Sequence, residues 1–451
     1  MSKENSYKYL IIGLIVLGSI LRLTLFWVSP PNNGYDDHLE PMHIYAQDFS
    51  RPALFQCWEC YQPPIYYYTG ALFFKISKGL GGDNLTNWKI VQLINPLLSI
   101  LSLIIAYRIL LLFNLQNRLI ALVLSFFAML PRDIFTSVMV GNDTMLAFFT
   151  VLAFYVFLKI LRALKKGNTI GYWFVTLVVI ATLGSLTKQH GLLIHLFPGI
   201  IVLLLCRKAF RKMLYWAIPL LLLGTLLSLS DEVWKYRESG KFLVSNQNYF
   251  DNARNQYPGS LDKVEFFTFR IVSLYQEPAI SEKTSASFFT ELFARTFYDY
   301  EWRFISPKIP LSRSIAYVGY SVGLAWLAFF TIIIASWIKE NGRATLKGNL
   351  YITISKLAPI LAAFLFIMVP FLQTLRYPYF SSMKSMFMLP GIILVILKIG
   401  SLVKYSPLAQ RLGGLMIVLN IAYAILLIIG ISLYLEPSLN HLHGPLWSIP
   451  K

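Results

Sequence analysis

The sequence predicts an all-α polytopic membrane protein, and three observations support this fold class. Of the 451 residues, 56% are hydrophobic and 14% are charged, whereas soluble domains carry about 25% charged residues. Many apolar stretches approach the roughly 20 residues that cross a bilayer core. Between them, Lys and Arg are concentrated in alternate connecting segments. We therefore expect a single membrane domain, residues 1–451, with about 11 transmembrane helices.

The candidate spans follow one another along the whole chain. The third, sixth and tenth are short, which makes the count approximate. We expect the third to continue past Pro131 in a broken or tilted form, because proline interrupts a helix. In order, the spans cover residues 9–28, 90–113, 119–130, 145–161, 170–186, 192–206, 213–229, 315–338, 350–372, 386–399 and 415–435.

Charge placement gives these spans a direction. Cytoplasmic loops are enriched in Lys and Arg, and acidic residues follow no such rule. With the N-terminus inside, 18 Lys and Arg residues fall in cytoplasmic segments or at the cytoplasmic ends of the spans, against only Glu4 and Glu340. The excess positive charge thus indicates topology rather than nucleic-acid binding. It predicts a cytoplasmic N-terminus and an extracytoplasmic C-terminus. The first span is too long for a signal peptide and has no evident small-residue cleavage site, which predicts a retained N-terminal anchor. The lack of a cytoplasmic domain favours a prokaryotic plasma membrane.

Two long segments, residues 29–89 and 230–314, form outer loops in this topology. In the first, residues 36–49 and 61–80 have the pattern of interfacial amphipathic helices. The second of these helices carries Tyr66, Tyr67 and Tyr68, which suit the headgroup region. The loop 230–314 is charge-balanced and rich in aromatic residues, which predicts a folded module.

The cysteine pair Cys57 and Cys60 (CWEC) lies in the first outer loop. An oxidising compartment would permit a disulfide between them. Two free thiols and a metal site with further ligands are the alternatives. The histidines show no metal-ligand spacing, and neither HExxH nor a P-loop is present. No metal site is therefore predicted, although a divalent metal ion as a cofactor is left as an alternative.

The acidic pair Asp36 and Asp37 follows the first span. Adjacent carboxylates near a low-dielectric boundary repel each other, which raises the pKa of one of them. Such a carboxylate could take a proton from an acceptor hydroxyl. The alternative is an N-cap of the next helix. The same two interpretations apply to Asp143, which opens the fourth span.

Basic residues stand at the outer ends of other spans. They are either snorkelling anchors or a cationic group that holds a phosphate. The candidates are Lys188 and His190 (TKQH) after the fifth span, Arg376 and Lys384 between the ninth and tenth, and Arg270, Arg295 and Arg303 in the large loop.

Four motifs recur in an order that resembles a known family. They are the acidic pair after the first span, QPPIYYY at the end of the first loop, GNDT at the fourth span and KSMFMLP before the tenth. This order resembles the C-type membrane glycosyltransferases, in particular the protein-mannosyltransferase and aminoarabinose-transferase-like group. The resemblance covers roughly the first 200 residues and the tenth span, and the large loop has no match.

The resemblance implies an enzyme that takes a hexose or pentose from a polyprenyl-phosphate donor on the outer face. It would transfer the sugar, with inversion, to a glycan, lipid or protein acceptor. The role of base would fall on Asp36, with Asp37 where the family has Glu, so either carboxylate could serve. Asp143 would orient the acceptor or the base, and Lys384 would lie near the carrier phosphate.

The remaining candidate substrate-binding residues lie in or near the same motifs. They are His38, Gln62, Tyr66, Lys188 and Arg376. In aminoarabinose-transferase-like members an acidic residue and Lys precede Pro-Pro, where this chain has Tyr61 and Gln62. That departure puts aminoarabinose, and any metal held there, in doubt.

Two other functions remain alternatives. A transporter or lipid-linked glycan flippase would carry charged residues in the middle of its spans, and only Arg22 and Lys356 qualify. A non-catalytic glycan-binding membrane protein would tolerate Asn at Asp36 and Asp37. Membrane lipids are expected partners in every case, and nucleic acid is not.

Overall fold

A computed structural model describes residues 3–242, 244–246, 263–281, 287–305, 310–346, 350–377 and 383–434. All secondary structure in these ranges is helical. Parts of the predicted large outer loop (247–262, 282–286 and 306–309), the side chain of Lys356 and the end of the eleventh span lie outside the described residues.

The helices confirm the all-α polytopic class. In chain order they are α1 (Lys3–Val28), α2 (Leu39–Asp48), α3 (Ile65–Gly79), α4 (Asn84–Leu112), α5 (Asn117–Ala128), α6 (Pro131–Thr136), α7 (Asp143–Lys166), α8 (Gly171–Ser185), α9 (Leu196–Ser239), α10 (Lys263–Phe267), α11 (Ile271–Gln276), α12 (Phe288–Phe297), α13 (Pro310–Leu346), α14 (Leu350–Arg376), α15 (Leu389–Leu402) and α16 (Pro407–Tyr434). Short 3₁₀ helices cover Gln189–His195, Ser385–Met388 and Val403–Tyr405.

Nine segments within the described ranges are long and apolar enough to cross a membrane. They coincide with nine of the predicted spans. The third and fifth predicted spans correspond to the shorter apolar helices α5 and α8. Whether these two also cross the bilayer depends on how deep they lie, so the total of eleven stays a prediction.

Helix α9 folds back on itself, although it is one continuous helical segment. His195 Nε2 lies 2.8 Å from the Ser228 hydroxyl, 33 residues further along the chain. A straight helix would separate these residues by about 50 Å. The two apolar segments Gln189–Cys206 and Tyr215–Ser239 are therefore antiparallel. The chain reverses between residues 206 and 215, where the sequence predicts a cytoplasmic turn.

The third predicted span is broken, as Pro131 suggested. Helix α5 ends at Ala128, and Pro131 occupies the first turn of α6, where a missing N–H costs no hydrogen bond. Every residue from 119 to 147 is buried. Such a break is tolerated at membrane depth because protein, rather than lipid, surrounds the freed backbone groups.

Arg22 joins three helices in the interior instead of snorkelling to the membrane surface. It is fully buried and forms an ion pair with Asp133 of α6. Its Nε donates to Ser99 of α4 at 2.6 Å, and the Ser99 hydroxyl donates to Asp133 at 2.7 Å. Its Nη1 donates to the carbonyls of Gly18 and Ala128. The charge is thus fully compensated.

Helices α2 and α3 lie where the first outer loop predicts helices. They pack on α4 through an apolar cluster that includes Met42, Tyr66, Tyr67 and Trp88. The prediction that Tyr66 and Tyr67 face lipid headgroups is wrong, because both rings are buried in this cluster. The membrane-facing position of the two helices stays a prediction.

Candidate active site

Two lysine–carboxylate pairs bring together residues from four separate parts of the chain. Lys384 Nζ donates to Asp36 Oδ2 at 3.2 Å. Lys188 Nζ donates to Asp143 Oδ1 at 2.6 Å. Both lysines also approach the ring of Phe387, at 5.8 Å for Lys384 and 4.7 Å for Lys188. The expected convergence of these outer-edge residues is therefore present in the fold.

A two-part cleft opens beside these pairs. One part contains about 320 Å³ of empty space, in part open to solvent, and is lined mainly by residues 31–39. The other contains about 230 Å³ and extends to Asp143 and Met386. Tyr35, Asp36 and His38 line both parts. The acidic segment after α1 thus forms the wall that the two halves share.

The two adjacent aspartates have different roles in the structure. Asp37 Oδ1 accepts from the backbone N–H groups of Leu39 and Glu40, the first residues of α2, at 3.0 and 3.2 Å. Asp37 is thus the helix cap that the sequence left as an alternative. Asp36 instead pairs with Lys384, and a quarter of its side chain is exposed.

The pKa values of the two carboxyl groups move in opposite directions. Burial raises the pKa of Asp37, and the hydrogen bonds from Glu40 and Leu39 oppose this only in part. Burial would also raise the pKa of Asp36, but the surrounding positive charges, Lys384 first, together with the hydrogen bond of Lys384, outweigh it, so this pKa lies below its ordinary value. Asp36 is therefore ionised at neutral pH.

His38 is a neutral side chain at the cleft wall. Burial lowers its pKa to about 3, with Lys188 and Lys384 adding to the effect and Asp36 opposing it. Its Nδ1 lies 2.8 Å from the Tyr67 hydroxyl. The ring can therefore offer or accept one hydrogen bond in the cleft without carrying charge.

Tyr66 supports the site from behind instead of lining the cleft. Its hydroxyl accepts from the Gly141 N–H at 2.8 Å and from the Asn95 amide at 3.2 Å. Asn95 also donates to the carbonyls of Met139 and Gly141. These contacts fix the turn that leads into α7. Because Tyr66 is fully buried, the predicted direct contact with substrate is wrong.

Asp143 stands at the start of α7 with one carboxylate oxygen engaged by Lys188. Its Oδ2 is buried and has no hydrogen-bond partner among the described residues. Within the same ranges its side chain makes no capping bond, so the N-cap interpretation is not observed. A buried unpaired oxygen at the cleft is available to a ligand hydroxyl.

Two of the predicted basic residues, His190 and Arg376, form no hydrogen bond or ion pair with these pairs among the described residues. The His190 ring packs edge-on against Phe366. Arg376 is exposed at the end of α14, with its guanidinium 5.3 Å from the ring of Tyr377. The described part of the chain therefore gives no support for Arg376 as a substrate ligand.

The large outer loop brings cations to the residue before Asp36. Arg303 Nη1 donates to the Gly34 carbonyl at 2.9 Å, and its guanidinium lies 4.0 Å from the Tyr35 ring. Arg132 of α6 donates to the Tyr35 hydroxyl at 3.0 Å. Sequence reasoning missed Arg132, because it lies beside a helix break and outside any motif. Arg270 instead pairs with Glu265 at 2.8 Å.

Comparison with known proteins rests on structure alone, since no protein-family model and no curated protein matches the chain. The apo oligosaccharyltransferase of Archaeoglobus fulgidus superposes with a TM-score of 0.50 at 13% identity, over 96% of this chain and 57% of that chain. The chain therefore has the fold of this oligosaccharyltransferase. At this identity the likeness concerns the fold alone.

Two further solved structures are similar to the chain with lower TM-scores. Archaeal oligosaccharyltransferase AglB from Archaeoglobus fulgidus, in complex with an inhibitory peptide and a dolichol-phosphate, gives a TM-score of 0.48 at 13% identity, over 94% of this chain and 54% of that one. ArnT from Cupriavidus metallidurans bound to undecaprenyl phosphate gives 0.35 at 15%, over 86% and 77%. The chain spans little more than half the length of the oligosaccharyltransferases that it matches.

The CWEC segment contains a disulfide between Cys57 and Cys60. Of the three alternatives that the sequence left open, the free thiols and the metal site are thus not observed. Glu59, inside this loop, is a buried carboxyl group that sequence reasoning missed. Its only sequence signal is an acidic residue between two paired cysteines. No group of three or more His, Cys, Asp and Glu side chains suited to a metal occurs in the described ranges.

Proposed function

We propose that this protein is a glycosyltransferase that moves a sugar from a polyprenyl-phosphate donor to an acceptor on the extracytoplasmic face. The observation that carries the proposal is the contact between Lys384 and Asp36, a carboxylate that lines the cleft. It joins a carboxylate that can accept a proton to a cation that can hold a phosphate. The C-type fold and the order of the motifs support the same reaction class.

The proposed reaction is a single displacement at the anomeric carbon. An acceptor hydroxyl attacks this carbon and passes its proton to Asp36. The bond from the carbon to the phosphate oxygen breaks, and the electron pair leaves with the phosphate. Lys384 stabilises the negative charge that develops there. Attack opposite to the leaving phosphate inverts the configuration of the sugar.

The Asp36–Lys384 pair also couples donor binding to the strength of the base. In the free site, Lys384 holds the pKa of Asp36 below its ordinary value, despite burial. A donor phosphate that contacts Lys384 adds negative charge next to Asp36 and competes for its cation. The pKa of Asp36 then rises, so the carboxylate becomes a stronger base when the donor is present.

Asp143 and His38 are the proposed acceptor ligands. Asp143 offers its unpartnered Oδ2, and His38 offers a neutral ring on the same wall of the cleft. Both groups recognise hydroxyls without adding a new charge beside the phosphate. The acceptor class implied is a glycan, lipid or protein hydroxyl. The positive-inside pattern supports a site on the extracytoplasmic face, and a prokaryotic plasma membrane is the proposed location.

Arg22, the one of the two predicted mid-span charges whose side chain the structure describes, does not support the transporter or flippase alternative. This alternative calls for charged side chains along a path through the membrane. Arg22 is instead enclosed and paired with Asp133, Ser99 and two carbonyls. The non-catalytic glycan-binding alternative differs from the proposal at one point, since it requires no particular carboxylate at position 36.

The test is sugar release by the purified full-length protein from a panel of polyprenyl-phosphate hexoses and pentoses. Asp36→Asn should lower turnover by about 10²–10⁴-fold, the usual contribution of a general base. Asp83→Asn is the matched control, because Asp83 caps α4 in the same outer loop and Asn is an equally good cap. Wild-type turnover in Asp36→Asn, or no donor consumed by the wild type, would contradict the proposal.

A further inference from the structure

The Cys57–Cys60 disulfide encloses a carboxyl group that the proposed reaction does not use. The bond closes a short loop in which the Cys60 N–H donates to the Cys57 carbonyl at 3.3 Å. Glu59 lies inside the loop with only 3% of its surface exposed. A buried carboxyl group is costly unless its neighbours compensate it, so its placement calls for an explanation.

Glu59 begins a hydrogen-bond chain that reaches the second lysine–carboxylate pair. The Gln62 amide donates to Glu59 Oε2 at 2.9 Å. The Asn142 amide donates to Gln62 Oε1 at 3.3 Å and to the Thr187 carbonyl at 3.1 Å. Asn142 and Thr187 directly precede Asp143 and Lys188 in the sequence. The hydrogen-bond chain therefore ends at the residues that are covalently next to both partners of that pair.

The other oxygen of Glu59 connects to the large outer loop. The Asn246 amide lies 3.2 Å from Glu59 Oε1, across 187 residues of sequence. Both carboxyl oxygens of Glu59 are thus engaged, each by a different outer loop. The neighbouring salt bridge of Arg51 with Asp231 fastens the first loop to the end of α9 in the same region. Glu59 is the point where the disulfide loop, the large loop and the cleft meet.

We propose that Glu59, held by the Cys57–Cys60 disulfide, is a positioning residue that sets Asp143 and Lys188 for the transfer reaction through Gln62 and Asn142. This inference rests on the proposed function for its catalytic consequence. Its structural part, the coupling between the disulfide loop and the start of α7, is independent of any substrate.

The electrostatics of Glu59 give this role a pH dependence. Burial, followed by the charge of Asp36, raises its pKa to about 8, while Gln62, Asn246 and Lys188 oppose the rise. Glu59 also faces the phenols of Tyr61 and Tyr67, whose pKa values burial and Glu59 raise well above 10.0. Glu59 is therefore neutral at pH 7. Above about pH 8 it adds a second negative charge near Asp36, which opposes the binding of an anionic donor.

The first experiment is the pH profile of kcat/KM for the full-length protein. The wild type should lose activity as the pH rises through about 8, because Glu59 ionises. Glu59→Gln keeps a neutral side chain of the same shape and should lose this alkaline limb. Glu265→Gln, the same change in the large outer loop, is the control and should keep it. An unchanged limb in Glu59→Gln would overturn the electrostatic part of the proposal.

The second experiment tests positioning without any substrate, by hydrogen exchange of backbone amides in residues 139–146. Reductant should speed exchange in this segment of the wild type and of Cys206→Ser. The double variant Cys57→Ser/Cys60→Ser should exchange fast with or without reductant. Glu59→Ala should also exchange fast in this segment, although its disulfide is intact. Exchange at the wild-type rate in Glu59→Ala and in the double variant would overturn the coupling.

The third measurement, kcat of the Glu59 variants, tests the positioning role and the electrostatic role of Glu59 together. Glu59→Ala should lower kcat by about tenfold to a hundredfold, because small misplacements of catalytic groups have effects of this size. Glu59→Gln should recover most of the loss at pH 7. If the wild type transfers no sugar, the proposed function fails, yet the exchange experiment still decides whether Glu59 controls the start of α7.

Discussion

The Arg22–Asp133 and Asp36–Lys384 pairs are chemically alike but differ in their surroundings. In the first, both side chains are enclosed, and Ser99 and two carbonyls satisfy the remaining donors and acceptors. In the second, a quarter of Asp36 is exposed to a cleft, and its bond to Lys384 is 3.2 Å long. The enclosed pair joins helices, whereas in the open pair Asp36 lines a cleft beside its bond to Lys384.

The difference separates a structural charge from a functional one. A buried ion pair whose hydrogen-bonding groups are already satisfied can only hold its helices together. Removing one partner leaves the other charge buried and uncompensated. A pair at a cleft can exchange its partner for a substrate group at little cost to the fold. Burial and unsatisfied atoms, rather than the presence of a charge, therefore identify the site.

The largest effect is expected from the enclosed pair. Arg22→Leu leaves Asp133 buried without its cation, which should lower the free energy of unfolding by about 3–5 kcal/mol. Thermal unfolding of the purified protein measures this loss. The double variant Arg22→Leu/Asp133→Leu should recover much of it. A single variant as stable as the wild type would remove the distinction between the two pairs.

The open pair should respond in the opposite way. Lys384→Met should lower kcat by about 10²–10³-fold, the size seen when one group that stabilises developing charge is lost. Its effect on stability should stay near 1 kcal/mol, because Asp36 remains in contact with solvent. Steady-state kinetics and thermal unfolding of the same preparation separate the two effects. A variant that unfolds early but turns over normally would contradict the assignment.

The smallest effect is expected from the second aspartate. Asp37→Ala should lower stability by about 1 kcal/mol through the lost cap of α2, while Asp37→Asn, which can still cap, should stay near the wild type. Both should keep most of the turnover. If Asp37→Asn instead loses turnover as Asp36→Asn is expected to, the base is Asp37, and Asp36 only holds Lys384 in place.

The sequence predicted which residues form the site better than it predicted the role of each residue. It named Asp36, Asp143, Lys188 and Lys384, and the structure brings them together. It also named Tyr66, which proved to be a buried support, and Arg376, which lies apart. Glu59 and Arg132 carried no motif and were missed, since their roles depend on partners that are far away in the sequence.

The fold class was determined by the sequence alone. The length of apolar stretches and the placement of Lys and Arg are local properties of the sequence, and they determine which segments cross a bilayer and in which orientation. The break at Pro131 and the helices of the first outer loop also followed from nearby residues. Tertiary structure decided which aspartate caps a helix and which faces the cleft. It did so because a contact such as that between Asp36 and Lys384 spans 348 residues, and only the packing of the helices brings such partners within a hydrogen bond.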